Sequence, residues 1–192
     1  DGSLDQKEIF PVQFVPLTDP IKISRLTIRN TSGRARQLSV TTYVEWVLGV
    51  ARAASAPFIV TNIDAETGAM MAHNQWNATF GSRVAFADLA GRQTAWSGDR
   101  REFLGRNGTL DNPAAFRAKK ALSKNVGAGL DPCGVLQTRV KLEPGETTDI
   151  LFFLGETATL SDAHALIAQY RTANLDAVFQ DVVKHSKDVL GT

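Results

Sequence analysis

Enzymes that cleave or build glycosidic bonds use paired carboxylates, one to donate a proton and one to attack or to activate water. Asp99 and Glu102 share one helical turn within Gly98-Asp-Arg-Arg-Glu-Phe-Leu-Gly-Arg-Asn-Gly108. Arg100, Arg101 and Arg106 lie beside them, so a helix cap and a surface charge are the expected roles. Structural ion pairs far outnumber catalytic acids. His73, His164 and His185 are scattered, with no H-x-x-x-H or Cys/His cluster, and predict no metal site. No serine sits in a G-x-S-x-G elbow. Asn125-Val-Gly-Ala-Gly129 is glycine-rich but lacks the lysine of a phosphate cradle, and reads as a turn. Cys133 follows Pro132 at a strand start and reads as a buried structural thiol. The residues therefore predict no catalytic group within the chain.

Sugar recognition asks for something else. The apolar face of a pyranose packs on an aromatic ring, while planar amides, carboxylates and guanidinium groups read its hydroxyls. His73-Asn-Gln-Trp-Asn77 and Trp96-Ser-Gly-Asp-Arg-Arg101 both offer that mixture. The candidate substrate-binding residues are Asn74, Trp76, Asp99, Arg100, Arg101 and Arg106. Against this stands the general rule that a tryptophan at a strand end belongs more often to the core than to a ligand. The sequons at Asn30, Asn77 and Asn107 are within chance for this length.

The elements that must position these residues are mostly strands. Phe10–Leu17 is a short apolar run edged by prolines, as at a sheet edge. Ile21–Arg29 alternates, with a phase slip at Arg25-Leu26 that predicts a bulge. Asn30–Gly33 is a turn signal, and Val40, Thr42, Val44, Trp46 and Leu48 then share one parity, so Ile21–Leu48 predicts a hairpin. Phe58–Ile63 and Ala69–Trp76 flank Asp64–Gly68. Arg83–Leu89 and Gln93–Trp96 flank Ala90–Arg92. Gly134–Leu142 and Thr147–Gly155 flank a Pro144-Gly145 turn. Ser97–Gly129 reads as a long loop with short helices at Asp99–Leu104 and Pro113–Lys119. The period then changes. Leu166, Ile167 and Tyr170 form one helical face behind a Ser161-Asp162 cap. A second helix, capped by Asn174, carries Leu175, Val178, Phe179, Val182, Val183 and Val189. The prediction is mainly β: an antiparallel two-sheet sandwich over residues 1–158, followed by a helical hairpin over 159–192.

Composition narrows the partners. The chain has 192 residues, 43% hydrophobic and 21% charged, with a formal net charge of +1. That balance carries no nucleic-acid footprint. One cysteine excludes an internal disulfide and suits a reducing compartment. The most apolar stretch, Tyr43–Val60, is broken by Glu45, Arg52 and Pro57, so no membrane span is predicted. Asp1–Glu8 is polar and does not resemble a signal peptide. Without an initiator methionine, the start reads as a fragment boundary or a processed end.

Several long motifs are similar to a known family. Asn30-Thr-Ser-Gly-Arg-Ala-Arg-Gln-Leu-Ser-Val-Thr-Thr-Tyr-Val-Glu-Trp-Val-Leu-Gly49, Thr61–Gly68, Phe80–Leu89, Gly98–Gly108 and Asp131–Gln137 resemble the N-terminal sandwich of the glycoside hydrolase family 94 phosphorylases, formerly glycosyltransferase family 36. Within the family, the likeness is nearest to the cyclic β-1,2-glucan synthase branch. The resemblance implies a galactose-mutarotase-like super-sandwich and a helical linker, then an (α/α)6 barrel beyond this chain that holds the general acid and the site for inorganic phosphate. It implies no cofactor in this chain. The implied partners are a β-1,2-linked glucan oligosaccharide, the barrel, and a second copy in a homodimer. The implied place is the cytoplasmic face of a parent anchored in an inner membrane. By the same resemblance, Asp99–Gly108 is the loop lent to the edge of an active site. The alternatives are a purely structural dimerisation domain and an independent lectin-like module.

Overall fold

A computed structural model of the chain describes residues 7–118 and 120–191. The first sheet has six antiparallel strands in the order β1-β2-β9-β6-β5-β4: β1 Lys7–Phe14, β2 Ile21–Asn30, β4 Val60–Ile63, β5 Met70–His73, β6 Val84–Asp88 and β9 Thr147–Thr157. The second has three, β3-β8-β7: β3 Arg36–Glu45, β7 Ala95–Asp99 and β8 Pro132–Leu142. Period-2 alternation sends each strand's side chains to two faces, and both faces of the central strands are covered. Ile28, Met70, Ala72, Ala85, Ala87, Leu136, Val140 and Ile150 meet between the sheets. Ile21, Ile23, Met71, Phe86 and Phe153 point the other way, into α4 (Leu160–Thr172) and α5 (Leu175–Leu190). Cys133 and Val135, on the outer face of the second sheet, lie under Phe103, Leu104 and Leu122 of the 97–129 segment. The result is four layers: helices, six strands, three strands and a folded loop.

The two-sheet sandwich and the helical tail are as predicted, but three local expectations change. First, β2 and β3 do not form a hairpin. β2 is already paired on both edges, by β1 and β9, while β3 pairs with β8. The chain crosses from one sheet to the other at Asn30. It crosses again at Pro144-Gly145 and between β6 and β7. Turn residues specify a reversal, and burial decides whether it closes a ladder or spans the core. Second, Arg25-Leu26 is no bulge, because the registers with β1 and β9 run through it unbroken. The apolar phase switches because the covering layer does. Helices cover Ile21 and Ile23, whereas the second sheet covers Leu26 and Ile28. Third, Thr159 rather than Ser161-Asp162 caps α4. Its hydroxyl accepts from the Asp162 N–H at 3.1 Å and donates to the Asp162 carboxylate at 2.7 Å. Asn174 caps α5 as expected, accepting from the Ala177 N–H.

The crossing end is closed by one side chain. Asn30 is 1% exposed. Its amide donates to the carbonyls of Arg34, Leu142 and Glu143, and its Oδ1 accepts from the Ser32 N–H and hydroxyl. The crossings at Asn30 and at Pro144-Gly145 are thereby tied together.

Candidate functional site

The opposite end of the sandwich is open. β2 and β6 begin there, and β3, β5, β7 and β9 end there or pass into loops. A cavity of about 710 Å³ opens between the sheets, lined by Pro20, Trp46, Leu48, Asn74, Asn77, Phe80 and Arg83 among others. Trp46 reaches it because β8 carries glycine opposite: a Cβ on Gly134 would lie 2.9 Å from the indole. Trp46 is 4% exposed, and its Nε1–H is buried with no acceptor among the described residues. An ion pair between Arg83 and Glu156 borders the mouth.

Of the six predicted site residues, Asn74 lines this mouth, and Trp76 stands on the adjoining turn, outside the lining. Asn74 is buried, and its amide serves the backbone: Nδ2 donates to the Leu48 carbonyl at 2.9 Å and Oδ1 accepts from the Trp76 N–H at 3.2 Å. It therefore positions the ledge that carries Trp76. Trp76 itself is 78% exposed, against the rule for strand-end tryptophans. Its ring sits 5.3 Å from Phe58, tilted by 34°. Trp46 is core as its parity predicted, and Trp96 packs half-buried under the Lys124 ammonium, 4.6 Å from its ring centroid. Phe58, Phe80 and Arg83 were not singled out from sequence. The available signal was two exposed-type loops each carrying a lone aromatic.

The other four lie across the same open end, at the tip of β7. Ser97–Asp99 is still strand, so the loop begins later than expected. α2 (Arg100–Phe103) and α3 (Ala114–Ala118) fill it. Asp99 caps α2, accepting from the Arg101 N–H at 2.9 Å. Glu102 accepts from the Ser97 hydroxyl and from both the N–H and hydroxyl of Ser123, which pins the loop's two stems together. Gly108 permits the turn that closes α2, since a Cβ there would collide with the Leu104 carbonyl. Arg100 donates to Glu45 at 2.9 Å, and Arg52 pairs with both Glu45 and Asp131. The Tyr43 hydroxyl also donates to Glu45, at 2.6 Å. That bond and the two guanidiniums hold the Glu45 carboxyl below its ordinary range. Burial, then Glu45, pushes the Tyr43 phenol up, and burial pushes up the Cys133 thiol. Both carboxylates read as cap and charge are thus structural. Arg101 and Arg106 remain exposed, and neither joins an ion pair among the described residues.

One constellation escaped the sequence altogether. His164 of α4 lies 3.0 Å from Asp64 and 3.0 Å from Glu66, both in the β4–β5 turn. The partners are about a hundred residues apart, so no spacing reveals them. Hydrogen bonds from Thr67 and His164 outweigh burial to lower the Asp64 pKa. Among the described residues, no group of three or more His, Cys, Asp or Glu could hold a metal ion, and no helix is long and apolar enough to cross a membrane.

Comparison with known proteins matches residues 12–173 to the family model described as Glycosyl hydrolase 94, supersandwich domain. A cyclic beta-(1,2)-glucan synthase, NdvB of Rhizobium meliloti (strain 1021), is 34% identical over 176 residues, covering 92% of this chain and 6% of that protein. A solabiose phosphorylase of Paenibacillus borealis is 31% identical over 142 residues, covering 69% of this chain and 18% of the relative. The chain therefore spans less than a fifth of the length of either.

Proposed function

The chain belongs to the glycosyl hydrolase 94 family as its supersandwich domain, and from that premise we propose that it is the non-catalytic, glucan-contacting scaffold of a β-glucan phosphorylase-like parent of the cyclic β-1,2-glucan synthase type. In this reading it shapes the edge of an active site whose acid and inorganic phosphate sit in an (α/α)6 barrel elsewhere in the parent. The parent is held at an inner membrane with this domain on the cytoplasmic face.

One observation carries the reading. The fold uses Asp99, Arg100 and Glu102 to fix the 97–129 loop at the open end, and leaves Arg101 and Arg106 projecting from it. A loop held this firmly, with two uncommitted guanidiniums, suits contact with a neighbouring domain's substrate. The test is to incubate the 192-residue chain with linear β-1,2-gluco-oligosaccharide and inorganic phosphate. No sugar 1-phosphate is expected, and its release would overturn the reading. In the parent, Arg101→Ala with Arg106→Ala raises KM for glucan.

Pairing of two copies without sugar binding is favoured by one feature. β3 pairs only with β8, which leaves a ten-residue strand edge without a partner strand among the described residues. Sedimentation of the chain at micromolar concentration separates the two readings.

A further inference from the structure

The open mouth carries a combination that neither core packing nor the loop explains. Large rings on a monomer's surface are ordinarily covered, yet Trp76 is 78% exposed and Phe80 58% exposed. Two contacts hold Trp76 nonetheless: the Asn74 side chain accepts its backbone N–H, and Phe58 flanks its ring. Trp46, which lines the cavity, has a buried N–H donor with no acceptor among the described residues. A buried donor left unpaired is costly, and the great majority find a partner. The Asn77 side-chain oxygen accepts the N–H groups of Thr79 and Phe80, which holds its amide in the lining. The two charges at the rim, Arg83 and Glu156, pair with each other. A mouth of this kind selects a neutral ligand over an anion or a cation. Its volume of about 710 Å³ is in the range of sites for small organic ligands.

We infer that this mouth is a binding site, separate from the Asp99–Gly108 loop, for a segment of neutral β-linked glucan chain. One glucosyl face lies on Trp76, and a hydroxyl of the inserted unit accepts from the Trp46 indole N–H. The remaining hydroxyls are met by Asn77 and by the Arg83–Glu156 pair, which offers donors and acceptors together without net charge. The glucan identity of the ligand rests on the reading given under Proposed function, whereas the position of the site rests on the rings and the orphan donor. Such a site would hold a growing or substrate chain to the scaffold while its end is worked on elsewhere.

The experiment titrates the 192-residue chain with linear β-1,2-gluco-hexasaccharide. Calorimetry gives affinity, and the ¹⁵N-labelled indole resonances report which tryptophan responds. Saturable binding is expected, with a shift of the Trp46 indole N–H. Trp76→Ala weakens it about tenfold, the order of one lost ring contact, and Phe58→Ala weakens it less. The Trp76 side chain is exposed, so the variant folds, which an unchanged Tm checks. Arg29→Ala, an exposed substitution at the crossing end, leaves the affinity unchanged, and Arg101→Ala with Arg106→Ala is measured beside it. Binding that the double arginine variant abolishes and Trp76→Ala does not touch would overturn this site while keeping the proposed function. No saturable binding up to about 10 mM would also overturn it, and the sugar 1-phosphate assay then judges the scaffold reading alone. A weakening by Trp76→Ala with the Trp46 resonance unmoved would remove the cavity from the site.

Discussion

At the crossing end of the sandwich, Asn30 is buried with both its amide hydrogens and its oxygen engaged. At the open end, Trp46 is buried with its one donor unengaged among the described residues, and Trp76 stands in solvent. The same two sheets thus end in opposite ways. At the crossing end Asn30 resolves the polar groups of the turns locally, so its side chain is explained by the fold. An open end leaves donors and rings that the fold does not use, and those mark where a ligand or a neighbouring domain belongs. Substitutions should therefore act on stability at the closed side and on binding at the open side.

The largest expected effect is at Arg171. Its guanidinium donates to both oxygens of Asp88, each at 2.9 Å, and to the Thr67 carbonyl at 2.7 Å, joining α4 to the far end of β6. Asp88 is 0% exposed. Among the described residues, Arg171→Met leaves that carboxylate with the Gly91 N–H and the Gln93 amide alone. Stranding a buried charge costs about 3–5 kcal/mol, and a Tm fall of about 10 °C follows for a chain of this size. Adding Asp88→Asn should restore part of the loss, since the charge itself is the penalty. An equal loss in the single and double variants would place the cost in side-chain contacts instead.

Next comes Asn30→Ala, which removes five hydrogen bonds and leaves the Leu142 carbonyl and its neighbours without their donor. About 2–4 kcal/mol is expected from unpaired buried groups. Chemical denaturation should show the shift in midpoint with little change in slope. A loss below about 1 kcal/mol, the typical worth of one hydrogen bond, would mean that the crossings hold without their shared amide, and would break the contrast between the ends.

Much of this contrast was legible in the sequence, but unevenly. Strand parity placed Val40, Val44 and Trp46 inward, and helical spacing placed Leu166, Ile167 and Tyr170 on one face, because burial imposes those periods directly. Asn30–Gly33 and Pro144-Gly145 were recognisable as reversals. That they cross between sheets was not, because turn chemistry fixes local φ and ψ and says nothing of which strand takes the hydrogen bonds. Asp99 as a cap followed from its position, whereas Glu102 clamping Ser97 to Ser123 needed the folded loop. The exposure of Trp76 ran against its residue type. Residue statistics favour the core for such a ring, and only the folded ledge, held by Asn74, shows that it stands outside. Family resemblance pointed to the right scaffold, which the family match confirms, but it drew attention to the loop at Asp99–Gly108 and away from the mouth beside it.

The smallest expected effect tests whether the open end also carries an unresolved charge. His73 closes β5 there, paired in register with Val60. Burial lowers its pKa from the ordinary 6.5, because a charged imidazole is disfavoured away from water. The folded chain therefore takes up this proton at lower pH than the unfolded chain does. Between the two pKa values the unfolded state binds more protons, so stability falls as the pH drops below about 6.5 and through the folded value. Above the unfolded value the effect is absent. Thermal melts from about pH 7.5 to pH 5.5 should show a decline that His73→Gln makes shallower. Every other group is common to the two proteins, so the difference between the curves isolates His73. A variant curve parallel to the wild type would show that His73 is solvated enough to charge freely, and would extend the open mouth along β5.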